Sequence, residues 1–179
     1  MVLQGLSRFW RGGETEGMGI HLSGKEIIDI AVGIEISGAA FYDQLAGSTK
    51  ETGTRVVYGK LADREREHAK TFQNMLGATG AYVNSRPYDE EYDTYLKTLV
   101  ESAVFKNERS AREAAKNVAT EPEAIEIGIR AEKDSILFYS AIQGLVRRED
   151  ADIVGAIINE EKSHLAQLSD LKTKLGKSA

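Results

Sequence analysis

The 179-residue sequence contains no cysteine. Disulfides, thiolate nucleophiles, Cys-ligated zinc and iron–sulfur clusters are thereby excluded, and the absence fits a reducing compartment, the cytoplasm. The sequence also lacks a basic cluster: its net charge is −5, whereas binding to nucleic acid by counterion release needs grouped Lys and Arg. Excess carboxylate suits cations better. No apolar run approaches the roughly 20 residues that cross a bilayer, since even Ile27 to Tyr42 is interrupted by Asp29 and Glu35. Arg8 and Arg11 precede no apolar h-region, so no secretory signal is expected. Neither a nucleic acid nor a membrane is an expected partner.

What remains is long enough for one domain, or one domain plus an arm, with an unaided core. Residues 1–22 are Gly-rich without a sustained period and read as an arm, in which Leu3, Leu6, Phe9 and Trp10 could form a short apolar turn; His21 reads as a polar residue of that arm. Ser23 followed by Glu26 is a capping-box pattern that opens a long helix to about Ala46, with Gly47-Ser48 as its stop. A second helix is expected from about Glu51 to Leu76, closed by Gly77 and Gly80. Residues 81–120 hold Pro87 at a turn and one short helix from about Asp89 to Val104. Thr120, Pro122 and Glu123 supply the N-cap, early proline and acidic first turn of a third long helix to about Val146. After a break at Arg147 to Asp150, a fourth runs from about Ala151 to Leu175, leaving 176–179 as a tail. Two hairpins joined by one long crossover is the ferritin-like arrangement of an all-α four-helix bundle, here spanning 23–175.

The hairpins repeat one another. An offset of 97 carries Glu26 to Glu123, Glu35 to Glu132 and Phe41-Tyr42 to Phe138-Tyr139; an offset of 96 carries Glu65-Arg66-Glu67-His68 to Glu161-Lys162-Ser163-His164. Packed with approximate two-fold symmetry, the repeated polar residues should meet near the axis. The heptad seams that face a bundle interior agree. They read Ile28, Ala31, Glu35, Gly38, Tyr42, Leu45; then Tyr58, Leu61, Glu65, His68, Phe72, Met75; then Ile125, Gly128, Glu132, Ser135, Tyr139, Ile142; and last Val154, Ile157, Glu161, His164, Leu168, Leu171. Each otherwise apolar, small or aromatic seam is broken at the same height by a glutamate, and two add a histidine one turn later.

A lone Glu-x-x-His on an amphipathic helix says little. Four carboxylates taken into a core at one level are another matter, because each costs several kcal/mol when unpaired and they repel one another. Two histidines cannot balance them, whereas a pair of divalent ions supplies four positive charges. The i, i+3 spacing puts each Glu and His on one face, where both can bind one ion. One Glu from each of two helices and Glu-x-x-His from each of the other two is the ligand pattern of carboxylate-bridged dinuclear bundles. Glu35, Glu65, His68, Glu132, Glu161 and His164 are therefore the expected metal ligands. Tyr42 and Tyr139 each follow a ligand glutamate by seven residues. Core filling with a peripheral hydrogen bond is one reading of them; tuning the ligands or quenching a radical is the other. Glu67, Asp134 and Glu160 fall off the seams and are expected in solvent, although one of them could orient a ligand histidine.

The stretches Leu61-Ala62-Asp63-Arg64-Glu65-Arg66-Glu67-His68-Ala69 and Ala131-Glu132-Lys133-Asp134-Ser135-Ile136-Leu137-Phe138-Tyr139 make the chain resemble a rubrerythrin-type member of the ferritin-like superfamily over roughly 23–175. The resemblance implies that Glu65 and Glu161 bridge two metals, that Glu35 and Glu132 are terminal carboxylates, and that His68 and His164 cap one metal each. Two departures matter. Full-length rubrerythrins carry a Cys-ligated rubredoxin domain that feeds electrons to the di-iron centre, which a sequence without cysteine cannot build. They also carry a further glutamate where Ser135 stands here, so the remaining set resembles the six ligands of bacterioferritin.

Carboxylate and imidazole donors without sulfur suit two iron ions, with manganese, a mixed iron–manganese pair or substituting zinc as alternatives. The leading expectation is a di-iron oxidoreductase that reduces peroxide or dioxygen with electrons from an external donor, as a homodimer or larger homo-oligomer. The alternatives are an iron-binding and storage protein with ferroxidase activity, and a helical module whose metal site is structural.

Overall fold

The computed structural model describes residues 22–77 and 89–176. Among them are six helices and no strand: α1 (Gly24–Ser48), α2 (Thr52–Gly77), α3 (Glu90–Ser102), α4 (Glu108–Asn117), α5 (Glu121–Ile142) and α6 (Arg148–Gly176). The apolar turn expected near Trp10, His21, Gly80, Pro87 and the tail from 177 lie outside the described residues. Leu22, read from sequence as the end of the arm, is buried, and its N–H donates to Asp93 at 3.1 Å.

The caps form as the sequence reading expects. At the start of α1 the Glu26 N–H donates to Ser23 Oγ at 3.2 Å while Glu26 accepts from the Ser23 N–H at 2.8 Å, satisfying two donors that a helix start leaves free. Thr120 caps α5, with Pro122 in its first turn. Two boundaries differ. The expected break at Arg147 to Asp150 is instead the first turn of α6: the N–H groups of Asp150 and Ala151 donate to Arg147 O, and Arg147 Nε donates to Asp150 at 2.7 Å. Glu149 and Asp150 sit there at the positive end of the helix dipole. The regular part of α5 stops at Ile142 rather than Val146, and the chain continues in turns whose Leu145 and Val146 N–H groups both return to Ile142 O. The crossover also holds a second helix, α4, beyond the one short helix expected there.

Helices α1 and α2 pack along their length, as do α5 and α6; α1 meets α5 and α2 meets α6 across the bundle, while α3 lies on α5 and α4 on α1. The seam residues named above are all buried except Gly38 and Leu171, which are partly so. The apolar core is divided in two. One half gathers the start of α1 with the ends of α2 and α5 and the start of α6, around Ile28, Phe72, Tyr139 and Val154. The other gathers the opposite ends, around Tyr42, Tyr58, Ile125 and Leu168. Every long helix passes from one half to the other through its seam glutamate, so the four carboxylates form a polar layer between two apolar caps.

Candidate metal centre

That layer brings together all six residues singled out as ligands. Glu35, Glu65, His68, Glu132, Glu161 and His164 are each at most 4 % exposed, although carboxylates and imidazoles seldom reach such depth without partners. Their donor atoms fall into two groups, Glu35, Glu65, His68, Glu161 and Glu65, Glu132, Glu161, His164, and within each group they lie within 4.8 Å of one another. Glu65 and Glu161 belong to both groups. The two imidazoles stack with ring centroids 5.7 Å apart.

The polar atoms at the centre are close without satisfying one another. Nδ1 of His68 is 2.8 Å from Oε1 of Glu161, and Nδ1 of His164 is 3.3 Å from Oε1 of Glu65 and from Oε2 of Glu161. Yet both Nδ1 atoms, both Glu161 oxygens, Glu35 Oε2 and Glu65 Oε1 are buried without a well-aligned hydrogen bond. Buried polar atoms normally find partners. Donor atoms that converge from four helices without well-aligned hydrogen bonds among themselves fit cations placed among them, and carboxylate with imidazole is a donor set for first-row divalent ions.

Without a cation the cluster must hold protons. Burial, with the neighbouring carboxylates adding to it, pushes Glu35 up to about 8. Burial first and nearby charge second likewise raise Glu65 and Glu132 well above the usual range. For Glu161 burial opposes ionisation, but the flanking His164 and His68 outweigh it and hold the carboxyl low. Burial also disfavours imidazolium at His164, yet Glu132, Glu161 and Glu65 around the ring push it up to about 12. Divalent ions would displace these protons.

Tyr42 and Tyr139 touch the cluster, each across the bundle rather than along its own helix. Tyr42 Oη donates to Glu132 Oε1 and Tyr139 Oη donates to Glu35 Oε1. Burial and the adjacent carboxylates raise both phenols well above 10, which keeps them protonated as donors. Gly128 makes room for the first of these contacts: a Cβ there would lie 3.1 Å from Tyr42 Oη and 3.3 Å from Leu168 Cδ1. Ser135 turns its hydroxyl back to Ala131 O and adds nothing to the cluster. Glu67 pairs with Arg64 in solvent, and Asp134 accepts from the Val104 N–H. Glu160 reaches His68 instead, its Oε2 3.2 Å from Nε2. The sequence signal for that contact was weak, since Glu160 is only one of several charged residues flanking the seams.

The sequence model of the rubrerythrin family matches residues 26–172. A solved structure from Thermotoga maritima, provisionally described as a ferritin-like diiron-carboxylate protein, is similar in fold at a TM-score of 0.63 and 26 % identity, over 86 % of this chain and 96 % of that one. A comparison with curated proteins gives no match. The family and the buried Glu/His cluster together mark a dinuclear metal site.

Proposed function

The chain belongs to the rubrerythrin family, and from that premise we propose that it is a di-iron oxidoreductase that reduces peroxide or dioxygen. Its ligands in this reading are Glu35, Glu65, His68, Glu132, Glu161 and His164. The observation that carries the reading is the set of buried, unpartnered donor atoms shared between two overlapping groups. Glu65 and Glu161, common to both groups, would serve both ions. Glu35 with His68 and Glu132 with His164 complete one position each. Bound iron supplies one electron per ion, matching the two that a peroxide bond takes up when it is cleaved. The side chains do the rest. Tyr42 and Tyr139 hold Glu132 and Glu35 in place by donating to one oxygen of each, leaving the other oxygen for a cation. The apolar caps on either side keep bulk water from the layer. In this reading electrons reach the centre from an external donor, since the 179 residues contain no cysteine that could ligate a rubredoxin iron.

Storage of iron is the second reading, favoured by Ser135, which leaves the six-residue set that resembles bacterioferritin. Stopped-flow oxidation of the reduced, iron-loaded protein separates the two. A peroxidase should react faster with stoichiometric peroxide than with dioxygen and need an added donor to turn over. Preference for dioxygen, with ferric mineral accumulating beyond two irons per chain, would move the assignment to storage.

A further inference from the structure

The two halves of the centre are related by the repeat, yet the side chains behind their histidines differ. His68 turns Nδ1 toward the cluster, while its Nε2 lies 3.2 Å from Oε2 of Glu160 on α6, a side chain that is 50 % exposed. The offset of 96 that carries Glu65 to Glu161 and His68 to His164 carries Arg64 to Glu160. The residue equivalent to Glu160 in the other half is thus a guanidinium, which has no acceptor to offer an imidazole N–H. Arg64 turns instead to Glu67 at 2.5 Å. Among the described residues, Nε2 of His164 makes no hydrogen bond.

A neutral imidazole has one N–H and one lone pair, and an acceptor at Nε2 leaves the lone pair on Nδ1, the nitrogen that faces Glu35 and Glu161. A carboxylate in that place also fixes the ring and makes the ligating nitrogen more basic. We propose that Glu160 is a positioning residue for His68 and makes the position formed by Glu35, Glu65, His68 and Glu161 the tighter of the two metal positions. The proposal rests on the dinuclear reading above. The first ion taken up settles beside His68. The position beside His164, whose ring has no carboxylate at Nε2 among the described residues, fills second.

Titration of the metal-stripped full chain with Co(II), followed by calorimetry and by visible absorption, tests this. Wild type should bind two ions in two steps of different affinity. Glu160→Ala should weaken the first step by about 10- to 100-fold, the usual effect of removing such a partner, and leave the second within about threefold on that same scale. Arg64→Glu, which places an acceptor at the equivalent point, should strengthen the second step, and Arg64→Gln should do so less. Both positions are at least half exposed, and circular dichroism checks that the variants fold. With one equivalent of Zn(II), the imidazole nitrogen resonances of His68 should shift before those of His164. Identical titrations for wild type and Glu160→Ala, or earlier movement of His164, would overturn the proposal. A wild-type chain that takes up no pair of ions would instead overturn the dinuclear reading, and the proposal with it.

Discussion

Metal-stripped protein should lose stability as the pH rises from about 5 to 8. Glu35 is wholly buried, and burial raises its carboxyl from 4.5 to about 8. Above 4.5 the unfolded chain releases this proton while the folded chain keeps it. A folded state that holds one extra proton loses about 1.4 kcal/mol of stability per pH unit. The contribution is whole below 4.5 and gone by about 8, so Glu35 alone would account for roughly 5 kcal/mol. Glu65 and Glu132, also raised by burial, act in the same direction, and His164 joins them above 6.5. Glu161, held low, has the opposite sign, but its effect lies below 4.5. Water entering a stripped site screens part of the cost. A net fall of about 2 to 5 kcal/mol is expected, or about 5 to 15 °C in melting temperature for a chain of this size. Scanning calorimetry at pH 5.5, 6.5 and 7.5, on chelator-treated and on reloaded protein, measures it. Ions replace the protons in reloaded protein, so its dependence should be flatter. A stripped protein whose Tm stays level or rises across this range would refute the account of the cluster as crowded buried carboxylates.

Replacing Glu65 or Glu161 with Ala should abolish uptake of the ion pair and preserve helix content, since Ala is a good helix former; full occupancy by elemental analysis would show that the bridges are misassigned. Tyr42→Phe and Tyr139→Phe should each lower stability by about 1.5 to 3 kcal/mol, the worth of a hydrogen bond to a charged group, and urea unfolding of the loaded protein reads the difference. Gly128→Ala gains about 1 kcal/mol of helix propensity but forces Tyr42 or Leu168 aside at a cost of about 1 to 3 kcal/mol. A net loss of up to about 2 kcal/mol is expected on those figures, and a stabilised variant would mean that the contact yields freely.

The site was legible because burial makes a charged residue informative. A glutamate on an exposed face carries no message, but one in a seam of Ile, Ala, Tyr and Leu demands a partner, and four at one height are expected to converge, as they do. The helix starts at Ser23 and Thr120 were legible through their capping residues. Helix α4 was missed because its buried face is built from Ala111 and Ala115, too small to stand out as an apolar stripe. Its N-cap Asn107, which accepts from the Ser110 N–H at 2.9 Å, was the available signal. The start of α6 was misread because Arg147 and Asp150 look like loop residues until their mutual contact is seen. The reach of the tyrosines could not be read at all. Spacing along one helix places each beside the glutamate two turns away, whereas the register between hairpins sends each to the other hairpin's glutamate.

That exchange leaves neither hairpin complete by itself. A single hairpin carries a seam glutamate that lacks its tyrosine and a tyrosine that lacks its glutamate; two copies of that hairpin about a two-fold axis satisfy both at once. Because both hairpins lie in one chain, each half can differ where the exchange does not reach, as it does at Arg64 against Glu160, Gly38 against Ser135 and Tyr58 against Val154.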